Sequence, residues 1–521
     1  MARATRPAAD GGVPGGRRAG HVFDSGQARS AVALLVLAWL PIVAWHEHVA
    51  FRATSASCAW PELEGSTSAS PDARVVVIAD PQVTDFTSYR SFAPKGSWTL
   101  AAIERVSDAY QHRAFRLAVL PKRPEHVLFL GDLLDGGWLT ADDETFDATA
   151  RRFERIFRWP SRRDALGDAP TEKKKKYLSV HGNHDVGYAS RAESFPEIRA
   201  RHESRFGVSN YLEVVGGVEL VGVNAMALDG DPRSRATRDA WAFADALAGN
   251  ASALPPSPPR VLVTHLPLPK ASYAPGSCGE ARFGPVIQPR TRRTRRGVEY
   301  QDYLSDASAA RLLRAARPAL VLAGHDHDRC AARHEIPAPD TGSGDGDAAG
   351  DATGRRSDDP KAAARATVTE LTLGTFSWLM GNPKPSFALM TLRGERPAAA
   401  EGNARHVDTA ICELPEHLAG VWSYAYLGGV SALVLLVWPS LRISAAFMRS
   451  GDVEAFARRA GIEPKAKKSA FASGAKRADP VATWTRVVAA ALWRHCGPFF
   501  VALALVLGGI AGGTLWDLSR P

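Results

Sequence analysis

Five short polar motifs, each directly after an apolar run, constrain this 521-residue chain more than any other feature. In chain order they are Asp80-Pro81-Gln82, Gly131-Asp132-Leu133-Leu134-Asp135, Gly182-Asn183-His184-Asp185, Thr264-His265 and Gly324-His325-Asp326-His327. The runs that deliver them cover residues 74–79, 126–130, 177–180, 260–264 and 319–323, and they have the length and apolar content of buried strands. Stretches with helical spacing of apolar residues separate them, at 100–120, 146–158, 237–247 and 309–316. Further strands are predicted at 211–215 and 218–223, around Gly216-Gly217, and at 367–373 and 387–392. This alternation predicts an α/β sheet with helices on its faces. In such sheets the ligand site collects beyond the carboxyl ends of the strands, and all five motifs stand there. The glycines in these motifs let the chain turn sharply and come close to a bound group.

The motifs offer carboxylate, amide oxygen and imidazole donors, and no thiolate. That set suits Mn, Fe or Zn in a hydrolytic centre better than a structural zinc knot. A phosphodiester needs charge neutralisation and a nucleophile, and two metals about 3.5–4 Å apart supply both. A shared carboxylate keeps two cations close, and Asp132 is the best candidate for that bridge. Asp80 would complete the first metal's shell, and Asn183 would give the second a neutral oxygen. His265, His325 and His327 are the expected imidazole ligands. A lone Gly-Asp is usually a turn, and a lone histidine is usually packed or at the surface. The ordered succession of motifs outweighs both readings. His184 directly follows a ligand, so it suits the leaving-group proton or a hydrogen bond to the phosphoryl oxygen. Asp185 is expected to orient it and Asp135 to support the ligand shell, unless both are ordinary turn carboxylates.

Over residues 74–392 this pattern resembles the calcineurin-like metallophosphoesterase superfamily. The resemblance implies a four-layer α/β/β/α sandwich with two divalent metal ions. It places Asp80, Asp132 and His327 on one metal, and Asp132, Asn183, His265 and His325 on the other. It makes His184 the acid histidine. The first motif departs from the usual Asp-x-His, because Gln82 stands where the histidine would be. Taken as a ligand, Gln82 favours Mn, with Fe or Zn as alternatives. The Asp-Pro-Gln form is similar to a narrower group, the eukaryotic GPI-anchor ethanolamine-phosphate phosphoesterases and their fungal membrane relatives. So are Cys278-Gly279, Tyr300-Gln301, the run from His325 to Cys330, Glu370, Phe376-Ser377-Trp378 and Gly381-Asn382. That resemblance implies removal of ethanolamine phosphate from the GPI glycan, in support of export from the endoplasmic reticulum. The alternatives are another membrane-associated phosphodiester or pyrophosphate as substrate, and a non-catalytic cargo-binding protein on the same scaffold.

The net charge of +9 is concentrated in residues 1–30, 290–296 and 442–494. No aromatic residues are interleaved to stack bases and no groove-reading motif is present, so no nucleic-acid partner is expected. Membrane topology accounts for the charge better. Residues 31–45, 421–438 and 496–516 are uncharged, and three membrane spans are predicted there. The first is expected to be an uncleaved signal anchor, with a signal peptide as the alternative. Residues 1–30 and 439–495 then lie in the cytoplasm. Residues 46–420 become a luminal catalytic domain of the endoplasmic reticulum or Golgi, and 517–521 a luminal tail.

Cys58, Cys278, Cys330 and Cys412 fall on the luminal side, where two disulfides can form in three pairings. Cys58 and Cys412 lie close to spans and can meet near the membrane. Cys278 and Cys330 each follow a metal motif and can meet above the site. Four free buried thiols are the alternative. Asn250-Ala251-Ser252 is a glycosylation sequon. Residues 340–365 read as a disordered insertion, 255–259 as a stiff linker, and 290–296 as a solvated loop or a contact for anionic substrate.

Overall fold

Alternation of side chains along buried strands builds the catalytic region. A computed structural model describes residues 25–63, 72–140, 142–160, 176–248, 258–274, 276–279, 282–337, 366–394 and 406–450. The first sheet contains β1 (Ala73–Ile78), β2 (His126–Phe129), β3 (Tyr177–Ser179), β12 (Ser386–Leu392) and β13 (Val407–Glu413), in the order β13-β12-β1-β2-β3. The second contains β4 (Tyr211–Val215), β5 (Val218–Gly222), β6 (Arg260–Val263), β9 (Leu320–Ala323), β10 (Cys330–Glu335) and β11 (Thr367–Thr372), in the order β10-β11-β9-β6-β5-β4. Both sheets are mixed. In the second sheet parallel β5–β6–β9–β11 form the centre and antiparallel β4 and β10 close the edges, whereas in the first parallel β1–β2–β3 run out to one edge and antiparallel β12 and β13 continue from β1 to the other.

The period of two along β1 divides its side chains between two cores. Val75 and Val77 pack with Leu128, Leu220, Val261, Val263 and Leu322, between the two sheets. Val76 and Ile78 pack the other way, in one cluster with Tyr110, Phe115, Phe153 and Phe157 from the helices of Trp98–Arg113 and Asp143–Phe157 and the π turn Ala114–Val119. The second sheet does the same: Val221, Leu262 and Val321 face Ala240, Ala244, Leu312 and Leu313 of the helices Arg235–Ala246 and Asp306–Ala316. The layers are therefore helix, sheet, sheet, helix. Side chains cap the helix starts: Ser97 accepts from the Leu100 N–H at 3.1 Å and Asp142 from the Thr145 N–H at 2.7 Å.

The structure adds a hairpin where sequence gave only a loop, β7 (Thr291–Thr294) with β8 (Gly297–Gln301). Every residue of β7 is exposed, so no apolar alternation marked it. The cysteines pair as Cys58–Cys412, with Cα atoms 5.6 Å apart, and Cys278–Cys330, at 4.6 Å. Four free thiols are thereby excluded.

The described residues divide into two compact units, one of them spanning Trp45–Gly420. The other gathers helical segments before Trp45 and after Gly420. In it, the Trp39 indole N–H donates to Ser431 Oγ at 3.1 Å, and Trp39 stacks on Tyr424. Among the described residues, one helix, Ala33–Ser57, is long and apolar enough to cross a membrane. It runs beyond the predicted 31–45. Residues 421–438 fall inside a helix of His417–Ser450. The sequon, the insertion at 340–365, the span at 496–516 and residues 451–495 lie outside the described residues, as do 1–24 and 517–521.

Candidate metal centre

The chain leaves the strand ends in unusual backbone conformations. Eight described non-glycine residues have positive φ, and five of them are motif residues: Asp80, Gln82, Asp132, His325 and His327. The other three are Arg123, Arg158 and Arg317, which end helical turns. Left-handed backbone costs a non-glycine residue about 1–2 kcal/mol, and its concentration in one place marks a site where geometry outranks local stability. The glycines beside these residues allow the close approach. A Cβ on Gly182 would lie 2.0 Å from Asp132 Oδ1, and one on Gly131, which has φ 92°, would lie 2.6 Å from His265 Nδ1.

These turns converge. Ligand atoms of Asp132, His265 and His325 lie within 4.8 Å of one another, and so do those of Asp80, Asp132 and His327. Asp132 belongs to both groups. His265 donates through Nδ1 to the Leu130 carbonyl at 2.7 Å, which leaves Nε2 facing Asn183 Oδ1 at 3.1 Å and Asp132 Oδ2 at 3.5 Å. His325 Nε2 meets the Gln301 carbonyl at 3.2 Å, so Nδ1 is the nitrogen left to ligate. His327 Nε2 stands 3.7 Å from Asp80 Oδ1. Gln82 donates from Nε2 to Asp132 Oδ2 at 3.1 Å, while its Oε1 is buried with no hydrogen-bond partner.

His184 lies beside this cluster. Its backbone N–H donates to Asp132 Oδ1 at 2.8 Å, and its Nδ1 meets the Asp135 carbonyl at 2.6 Å and Asp135 Oδ1 at 3.2 Å. Asp185, expected to orient His184, is placed elsewhere. It is fully buried and accepts from the N–H groups of Leu133, Leu134 and Gly182 at 2.9, 3.1 and 3.0 Å. Its task is to tie the second motif to the third, and Asp135 takes the orienting role. A cleft of about 500 Å³ opens at His184 and Asn183, lined by Trp138, Tyr188, Arg191, Arg292 and Tyr300. Tyr300 and Arg292 belong to segments the sequence marked, whereas Trp138, Tyr188 and Arg191 carry no such signal, because they sit in or beside short helical turns with no periodic pattern.

The sequence pattern of the calcineurin-like phosphoesterase family matches residues 73–329, which contain every one of these candidate ligands. The chain carries a calcineurin-like phosphoesterase domain. It is similar to Cell division control protein 1 of Saccharomyces cerevisiae, 24% identical over 405 residues, covering 76% of this chain and 72% of the relative. It is also similar to Metallophosphoesterase 1 of Danio rerio, 28% identical over 337 residues, covering 61% and 79%. The Metallophosphoesterase 1 of Ailuropoda melanoleuca is 25% identical over 431 residues, covering 79% and 89%. The chain is thus a metal-dependent phosphoric ester hydrolase.

Calcineurin-like phosphoesterases bind two divalent metals, and the charge pattern here fits that requirement. Burial pushes the Asp80 carboxyl up to about 8, with Asp132 adding to the effect and His265 opposing it. Burial acts on Asp132 too, but His265 and His184 outweigh it and hold that carboxyl well below the usual range. Two fully buried carboxylates so close together ionise together only when positive charge compensates them. The orphaned Gln82 Oε1 adds an uncommitted oxygen in the same place. When bound, two such metals neutralise phosphate charge and activate a water nucleophile. The protein's own candidate for the acid is His184. Burial lowers its pKa, but Asp132 and Asp135 outweigh burial and raise it to about 10. Cations at the centre oppose that pull. A protonated His184, held through Nδ1 by Asp135, is placed to give a proton to a leaving oxygen.

Proposed function

We propose that this phosphoesterase is a membrane-tethered, luminal phosphodiesterase that removes ethanolamine phosphate from the GPI-anchor glycan, in support of export from the endoplasmic reticulum. The observation that carries this reading is the convergence on one centre of the segments that resemble the GPI-specific group. Tyr300 lines the cleft and the Gln301 carbonyl engages His325. Asn382 donates to the His327 carbonyl at 3.0 Å, and Glu370 accepts from the Leu268 N–H at 2.8 Å, just past His265. Cys278 is bonded to Cys330 beside the His325–His327 turn. A cleft with aromatic walls and arginines suits a diester whose alcohol is a bulky polar group such as a sugar.

A luminal location is supported by two disulfides, which persist in oxidising compartments. A tether is supported by the apolar helix Ala33–Ser57 and by its Trp39 contact with Ser431. Tethering confines enzyme and lipid-linked glycan to one surface and raises their effective concentration. The decisive experiment incubates the detergent-solubilised full chain with GPI glycans bearing ethanolamine phosphate and follows mass. Loss of one ethanolamine phosphate, absent with Asp132→Asn, supports the reading. Hydrolysis of a generic aryl phosphodiester without that loss moves the substrate to another diester. Topology is tested separately: a glycan is expected at Asn250 and not at a sequon introduced near Lys467. The reverse result places the domain in the cytoplasm.

A further inference from the structure

His325 and His327 serve different ligand groups but stand on one turn, and both are in left-handed backbone, with φ of 68° and 58°. Such a turn does not hold itself. The carboxylates at its alternate positions are engaged by a segment remote in sequence. Arg282 forks onto Asp326, Nη1 to Oδ2 at 2.8 Å and Nη2 to Oδ1 at 2.9 Å, and both side chains are buried. The same guanidinium donates to the carbonyls of Gly284 and Pro285 at 3.0 and 2.8 Å. Asp328 accepts from the N–H groups of Phe283 and Gly284 at 2.9 and 2.6 Å. Cys278, Cys330 and Val286 form a small buried cluster that fixes this segment to the start of β10.

We propose that Arg282 is a positioning residue for the metal centre. Its fork to Asp326, within a segment fastened by Cys278–Cys330, holds the turn in the one conformation that presents His325 and His327 to two metals at once. Planarity is the reason for arginine here: two parallel N–H···O bonds fix the direction of Asp326, which a lysine ammonium does not. Because one turn carries a ligand from each group, loosening it weakens both sites together. Losing a ligand confined to one group, such as His265, weakens one.

The proposal rests on the metal centre described above, and the test separates the two. The full chain in detergent is stripped by chelation, and Mn²⁺ binding is measured by equilibrium dialysis with electron paramagnetic resonance. The fold is checked by circular dichroism. Arg282→Met and Asp326→Asn are expected to lose about 10–100-fold in affinity at both sites, the usual cost of losing a group that orients a ligand. Arg282→Lys is expected to fall between them and wild type. Folded Arg282→Met and Asp326→Asn proteins that bind two Mn²⁺ as wild type does, or that lose affinity at one site alone, overturn the proposal. Should Arg282→Met not fold, the near-isosteric Asp326→Asn decides. Asp132→Asn reports on the centre itself: if it binds Mn²⁺ as wild type does, the metal assignment fails and not merely the clamp.

Discussion

The two sheets contribute to the centre in different chemical currencies and by different mechanical means. The first sheet, through the ends of β1, β2 and β3, delivers oxygens: Asp80, Gln82, Asp132 and Asn183. The second, through the ends of β6 and β9, delivers imidazoles: His265, His325 and His327. The oxygen side largely supports itself. The Gln82 N–H donates to the Asp132 carbonyl at 2.9 Å, the Val83 N–H to the Leu133 carbonyl at 3.1 Å, and Asp185 caps three backbone donors across two motifs. These bonds join neighbouring strand ends. The imidazole side borrows its support. His265 is oriented by a carbonyl of the first sheet, His325 by Gln301 of the β7–β8 hairpin, and the His325–His327 turn by Arg282. A buried carboxylate network fixes its own geometry through backbone donors, whereas a ring with one nitrogen reserved for a ligand has its other nitrogen oriented from outside.

If that division is right, the largest effect comes from the atom both halves share. Asp132→Asn is expected to lower activity by several orders of magnitude and to reduce metal binding at both sites. Turnover of an aryl phosphodiester and metal content by mass spectrometry check this. An Asp132→Asn protein that kept both metals would show that the two halves do not meet at this residue.

His184 sits on the oxygen side but outside the ligand set, so it probes chemistry without disturbing support. His184→Ala should slow turnover about 10²–10⁴-fold while leaving metal content nearly unchanged. An acid with a raised pKa is competent below that pKa and loses its proton as pH rises through it. The wild type should therefore show a basic limb at or below about pH 10, since cations draw the value down. His184→Ala should lack that limb. Metal loss in His184→Ala, or an unchanged limb, breaks the separation between support and chemistry. Smaller effects, about 10–100-fold in affinity, are expected from Arg282 on the imidazole side.

Much of the oxygen half was legible in the sequence, because its residues directly follow apolar strand runs and sit next to glycines. The three histidines were legible for the same reason. What sequence could not reach was the choice between near neighbours and the support from afar. Asp135 and Asp185, in two different motifs, are both candidates to orient His184, and nothing local says which one turns toward it. Asp185 was lost to backbone donors that become its neighbours only after β2 and β3 pair. Hairpin β7–β8 carries no apolar alternation, because its first strand is wholly exposed. Arg282 lies in a loop whose only signal was the position of Cys278, and that signal did locate the disulfide.

Gln82 is the finest test of the contrast, since it sits on the oxygen side where the family usually has an imidazole. Its amide N–H already serves Asp132 at 3.1 Å, and its Oε1 is buried without a partner. A buried carbonyl with no partner costs about 1–3 kcal/mol, so a cation or a water has reason to occupy that position. An oxygen there makes the first site harder than one built with a third imidazole, and hard sites prefer Mn over Zn. Activity after chelation should therefore return better with Mn than with Zn. Gln82→His places a nitrogen donor at the same strand end, where it should tighten Zn relative to Mn by a modest factor without altering the fold. The measurement is competitive titration of both metals into stripped wild type and Gln82→His. Equal affinities for both metals in the two proteins would mean that Gln82 acts only as a hydrogen-bond donor to Asp132. The oxygen side would then owe any Mn preference to its carboxylates alone, and the difference between the two halves would lie in support rather than in metal choice.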